Sequence, residues 1–252
     1  GYPLAYQYLT SLRPDAAPLA ADDLLRMRGR GWRSSFPAGS QTPGPGLPLA
    51  SARRWDTGIG AEWTRGPVQL RGAVTSGTLS NPRVRDDNGG RQLAGRLALE
   101  PAPGLVLGLS GSSGPWVART LDGARSGRQS ALGADAEYSR DHWIVRGELV
   151  FSRWALPWPL PPSNASSVAA LGHWVEGRYR FTPRLFAAGR LDRLGFSRLR
   201  GTATLRHWDA PVSRFEAAAG WYLRRTLVAR AGLQSNRRDG GRVRQRTFPT
   251  AQ

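Results

Sequence analysis

All 36 basic residues of this 252-residue chain are arginine, set against 18 carboxylates for a formal charge of +18. A guanidinium stays charged at any accessible pH and grips carboxylate or phosphate in a two-pronged fashion. The chain is therefore equipped either to hold anions or to build internal ion pairs. Little else suggests chemistry. His142, His173 and His207 lack metal-ligand spacing with acids. The absence of cysteine removes thiolate metal sites and disulfides. There is no Gly-x-Ser-x-Gly elbow and no evident Ser/His/Asp set. The glycine-rich run Gly108–Gly114 has no Lys-Ser/Thr partner with which to cradle phosphate. The expectation is a protein that is not an enzyme and needs no metal and no cofactor.

The elements that place these arginines alternate with a period of two. Trp55, Thr57, Ile59, Ala61 and Trp63 alternate with Asp56, Gly58, Gly60, Glu62 and Thr64, so a strand here has one apolar and one polar face. Beyond Arg65-Gly66, Val68, Leu70, Gly72 and Val74 alternate with Gln69, Arg71 and Thr75. The same unit recurs over 92–100 and 105–112, over 132–138 and 143–152, over 173–181 and 185–192, and over 214–222 and 227–234. That makes about ten strands in five hairpins.

Connections alternate as regularly as the side chains. Within hairpins they are a few residues long; between hairpins (about 77–90, 113–129, 154–167 and 193–211) they are long and polar. No apolar run approaches the roughly 18 residues of a membrane helix. Short turns on one side, long loops on the other and strands of about ten residues instead describe an antiparallel up-and-down transmembrane β-barrel of the bacterial outer membrane. In domain terms, 1–53 reads as a long extracellular loop segment, 54–235 as barrel strands and loops, and 236–252 as a further loop. Since an open sheet edge is not tolerated in lipid, at least one more strand is expected beyond each end.

A soluble β-sandwich or barrel has the same period with the faces reversed. Two features favour lipid outside. Apolar faces are Leu, Val, Ala and Gly, with Trp55, Trp63, Tyr138, Trp143, Phe151, Tyr179, Phe181 and Trp221 near strand ends, as in an aromatic girdle. Polar faces carry opposed charges in mid-strand: arginines 54, 71, 96, 146, 178, 180, 190, 214 and 230 against Asp56, Glu62, Glu100, Asp135, Glu137, Glu148, Glu176, Asp192 and Glu216. Such charges pair across neighbouring strands and suit a hydrated lumen.

The stretch Gly133-Ala134-Asp135-Ala136-Glu137-Tyr138-Ser139-Arg140-Asp141-His142-Trp143-Ile144-Val145-Arg146-Gly147-Glu148 resembles a hairpin of bacterial porins, in which Glu-Tyr closes one strand and Trp opens the next. Residues 175–183 and 215–223 look similar. The resemblance covers about 130–235 well and 54–112 by pattern only. It is closest to a broad phosphate-selective-porin-like group, though no phosphate ladder is matched.

These readings imply passive diffusion of small hydrophilic solutes, with an anion preference. The pore-lining set would be Arg71, Arg96, Arg146, Arg178, Arg180, Arg190, Arg214, Arg230, Asp135, Glu137, Glu148, Glu176, Asp192 and Glu216. A non-channel barrel (adhesin, assembly platform or plugged barrel) is the rival, with a soluble secreted β-protein behind it. Expected partners are the lipid bilayer and lipopolysaccharide, small solutes with anions among them, and further copies of the chain. Arginines outside the strands either contact water and lipopolysaccharide or concentrate anions at the mouth. Nucleic acid is not expected, because the aromatics lie on the apolar face and do not interleave with basic residues in a groove.

Overall fold

The computed structural model describes residues 57–76, 89–115, 127–160, 165–200, 205–207, 211–238 and 241–242. Alternating sequence becomes strand as anticipated. The hairpins are β1 (Gly58–Arg65) with β2 (Val68–Thr75), β3 (Gln92–Ala102) with β4 (Leu105–Pro115), and β5 (Arg128–Arg140) with β6 (Trp143–Leu160). They continue with β7 (Ala165–Arg180) and β8 (Leu185–Phe196). After the small pair β9 (Arg198–Arg200) and β10 (Leu205–His207) comes β11 (Val212–Arg224) with β12 (Leu227–Arg238), followed by the stub β13 (Gly241–Arg242).

One antiparallel sheet runs β1-β2-β3-β4-β5-β6-β7-β8-β11-β12-β13, and β9 and β10 form a separate ribbon. Neighbours in the sheet are neighbours in sequence, apart from the β9/β10 excursion. This is up-and-down topology. Three of the tight turns carry a left-handed residue, Gly66 (φ 54°), Asp141 (φ 53°) and Gly104 (φ 78°). Glycine adopts that conformation without strain and aspartate tolerates it.

The strands run further into the long connections than the alternation indicated. β6 continues to Leu160, and its pairing with β7 shifts between Ala155 and Leu160. Pro157 and Pro159 lie inside that shift, where a missing N–H breaks no ladder bond. The two faces differ sharply. One is covered, with Ala131, Trp154, Val168, Ala170, Phe186, Glu216 and Gln129 almost wholly buried. The other exposes Ile59, Leu70, Leu97, Leu109, Leu132, Val145, Leu149, Val175, Leu191, Leu227 and Leu233. A sheet whose exposed face is aliphatic and whose sheltered face is ionic is inverted relative to a soluble barrel.

Candidate functional site

Register fixes how the sheltered charges meet. Glu137 on β5 pairs with Arg146 on β6, Arg146 with Glu176 on β7, Glu176 with Arg190 on β8, and Arg190 with Glu216 on β11. Five strands thus present one inward row of strictly alternating sign. Opposite charges directly across a ladder attract, and side-chain contacts realise this in part: Arg146 Nε donates to Glu137 at 3.1 Å and Arg190 to Glu176 at 3.3 Å.

A second row lies one inward position along. Arg190 also holds Asp192 on its own strand at 2.7 Å, while its guanidinium lies 4.1 Å over the Trp174 ring. Trp174 Nε1 donates to Glu148 at 3.0 Å, and Arg214 sits 3.4 Å from Glu216. Arg178 stacks 4.6 Å over Phe186. At the β1 edge, Arg71 pairs with Glu62 at 3.0 Å in a more open setting.

One pair spans an intervening strand. Arg96 on β3 makes two hydrogen bonds to Asp135 on β5, one of them 2.7 Å from Nη2 to Oδ1. Between them on β4 lies Gly108, directly opposite Asp135 in register. A Cβ at Gly108 would collide with both charged groups. The missing side chain is what lets the bridge form.

Of the eighteen charges expected on the inward face, seven arginines (71, 96, 146, 178, 180, 190 and 214) and eight carboxylates (62, 100, 135, 137, 148, 176, 192 and 216) fall among described residues. All stand at inward register positions except Glu100, which lies within the β3/β4 register shift. Arg180 and Glu100 sit exposed at the turn end. Arg54 and Asp56 lie outside the described residues, as does the side chain of Arg230, whose backbone pairs with Gly220. Among the described residues, the inward wall is close to charge balance.

The aromatic set faces outward. Trp63, Tyr138, Trp143, Phe181 and Trp221 are 40–56% exposed and cluster towards the short turns. Tyr179 bridges Trp143 and Phe181, with ring centroids 4.6 and 4.9 Å apart. Phe151 stands near the opposite rim at 41% exposure, and Trp55 lies outside the described residues.

Alternation alone did not reveal an apolar inward cluster towards the long connections. Trp154, Val168, Ala170, Leu194 and Phe196 are all buried, with Trp154 opposite Val168 and Ala170 opposite Phe196. The signal is inward parity that continues past residue 152 into the 154–167 and 193–211 connections. A groove of about 1150 Å³ is bounded largely by outward residues (Ile59, Val74, Leu93, Leu132) and by the bare backbone of Gly72, Gly95 and Gly111. It lies on the wrong face to conduct solute.

Known structures share this architecture. A porin matches with a TM-score of 0.52 at 12% identity, over 72% of this chain and 56% of its own. OmpT, an outer membrane protein of Vibrio cholerae, matches in its in-vitro folded form with a TM-score of 0.52 at 7% identity, over 74% and 58%. The outer-membrane expressed form matches with the same score and identity, over 72% and 54%. No family model and no curated protein matches the chain. The protein has a porin-like outer-membrane β-barrel fold, and the chain spans a little over half the length of these solved barrels. That upholds the resemblance at the level of the porin-like barrel; nothing in these matches singles out the phosphate-selective group.

Proposed function

We propose that the protein resides in the outer membrane and forms a channel for passive diffusion of small hydrophilic solutes. The observation that carries this reading is the inward row Glu137–Arg146–Glu176–Arg190–Glu216, opposite a lipid-type aliphatic face. Burying such a row against apolar matter would strand charges at a cost of several kcal/mol each, whereas a hydrated lumen solvates what the pairs leave unsatisfied. The reading requires no covalent catalysis.

The anion preference expected from arginine content has little to rest on along the described wall, where eight carboxylates face seven arginines. The channel reading is therefore one of weak charge discrimination. Reconstitution of the protein bearing this chain into planar bilayers in potassium chloride tests it. Stepwise conductance is expected, with anion and cation permeabilities within about two-fold, since balanced fixed charge leaves local counter-ion density little changed. A barrel that inserts but passes no current would overturn the channel.

The covered cluster of Trp154, Val168, Leu194 and Phe196 favours a second reading, a barrel filled on one side and closed to solute. The same conductance measurement separates the two.

A further inference from the structure

Among the described residues, the inward face changes character along the barrel axis. Towards the long connections its side chains are uncharged, with Thr75, Gln92, Gln129, Trp154, Val168 and Phe196 all buried. The middle holds the row of alternating sign. Towards the short turns of β7/β8 and β11/β12 the charges are all arginine, since no carboxylate occurs from 177 to 191 or from 217 to 238. The carboxylates of the described short turns, Glu100 and Asp141, belong to β3/β4 and β5/β6, and Asp141 is held by Arg140 at 3.8 Å.

Arg180 closes β7 at an inward position opposite Phe186. Phe186 in turn opposes Gly220, whose missing Cβ gives the ring its room. Tyr222 follows on β11, its ring centroid 5.8 Å from that of Phe186. This lining is aromatic and supplies no counter-charge. Arg184 immediately precedes β8, where its backbone N–H and that of Leu185 donate to Thr182 Oγ1 at 3.2 and 3.0 Å. The Arg184 carbonyl accepts from Tyr222 N at 2.8 Å, which fixes the β7/β8 turn against the end of β11, where Arg224 stands. Three strands adjacent in the sheet thus carry an arginine at one mouth. All three guanidiniums are exposed and make no ion pair among the described residues.

We propose that Arg180, Arg184 and Arg224 form a binding site for soluble multivalent oxyanions, polyphosphates or polycarboxylates, at the periplasmic mouth, the side on which the short turns of outer-membrane barrels lie. Three neighbouring like charges repel. A chloride, with a single charge and no oxygens, relieves that repulsion weakly. An anion with several oxygens accepts paired N–H donors from more than one guanidinium at once. The aromatic girdle lies on the opposite face of the wall, so the inward parity of Arg180 directs the site to water and away from lipid. Fixed cations at one end of an otherwise balanced path make the channel two-sided towards such anions. That sidedness rests on the channel reading, whereas the binding itself does not.

Calorimetric titration of inorganic triphosphate into the folded protein bearing this chain, in zwitterionic detergent, reads the site directly. Saturable binding of one triphosphate per barrel is expected, with half-saturation raised about ten-fold or more in R180Q/R184Q/R224Q. Binding should weaken between 0.1 M and 1 M potassium chloride, as the Debye length falls from about 10 Å to about 3 Å. R128Q/R153Q/R193Q removes the same charge from exposed outward positions and should bind like the parent. In planar bilayers, triphosphate on the short-turn side should lower conductance, and the same concentration on the opposite side should not. Heat-modifiable migration confirms that each variant is folded, and R184Q/R224Q is a milder second probe that leaves β7 untouched. The proposal is overturned by unchanged binding in R180Q/R184Q/R224Q, by an equal loss in R128Q/R153Q/R193Q, or by equal block from both sides. Complete displacement of triphosphate by phosphatidylglycerol micelles would overturn it too, by assigning these arginines to lipid. Protein that binds triphosphate in this arginine-dependent way but passes no current would remove the channel and leave the site.

Discussion

Asp135 and Arg96 show how one absent side chain shapes a site. Both are almost fully covered, with side-chain exposures of 7% and 3%, and their contact passes over Gly108. Removing one partner of a buried pair leaves the other charge uncompensated, which typically costs about 3–5 kcal/mol, whereas an exposed pair contributes under about 1 kcal/mol. Asp135→Asn should therefore lower unfolding stability in lipid vesicles by about 3 kcal/mol. Gly108→Val should cost a similar amount, because it keeps both charges but drives them apart. Urea titration of vesicle-folded protein checks both. A loss under about 0.5 kcal/mol for either would mean that water already solvates the pair. Sequence named both charges as inward but not their partnership. They sit on strands that are not neighbours in the sheet, and only the register across Gly108 reveals the path between them.

Elements were more legible than contacts. All five hairpins stand where period-two alternation and short turns placed them, since side-chain direction in a strand follows from parity alone. Their upper ends were not legible. Pro157 and Pro159 fall in the 154–167 connection, yet β6 runs through them within a shift of register. Residues 193–211, read as connection, hold the end of β8 and the β9/β10 pair. Those segments carry the inward Trp154 and Phe196 and the outward Arg193, which alternation over the shorter strands does not reach. Strand geometry also sets a depth scale that can be tested. Leu149, outward and 45% exposed, sits in an apolar band that runs on the outward face of β6 from Trp143 to Phe151, whereas Ser130, paired with Arg153, sits above it. Leu149→Arg should destabilise the vesicle-folded protein by about 2–4 kcal/mol, and Ser130→Arg by less than about 1 kcal/mol. Equal penalties would mean that the band has been placed at the wrong height.

For the molecule as a whole, the decisive property is how charge is divided between the two faces. The chain carries +18, yet the described inward wall is nearly neutral; the surplus lies elsewhere, including the outward rim. A high isoelectric point therefore does not by itself make an anion-selective channel, since permeation responds to fixed charge lining the low-dielectric path and not to charge on the far side of the wall. Selectivity should be latent in the alternating row. Glu137→Gln, Glu176→Gln and Glu216→Gln together would remove three negative charges while leaving Arg146 and Arg190 in place, at positions those carboxylates flank in register. Reversal potentials across a potassium chloride gradient should then move from near zero to values showing several-fold preference for chloride, and the shift should shrink as salt shortens the Debye length from about 10 Å at 0.1 M to about 3 Å at 1 M. Outward substitutions at Arg128 and Arg153 should leave the reversal potential where it was. Should the triple variant conduct with the parent's selectivity, the row is not on the permeation path, and the covered Trp154 cluster becomes the better guide to what fills the lumen.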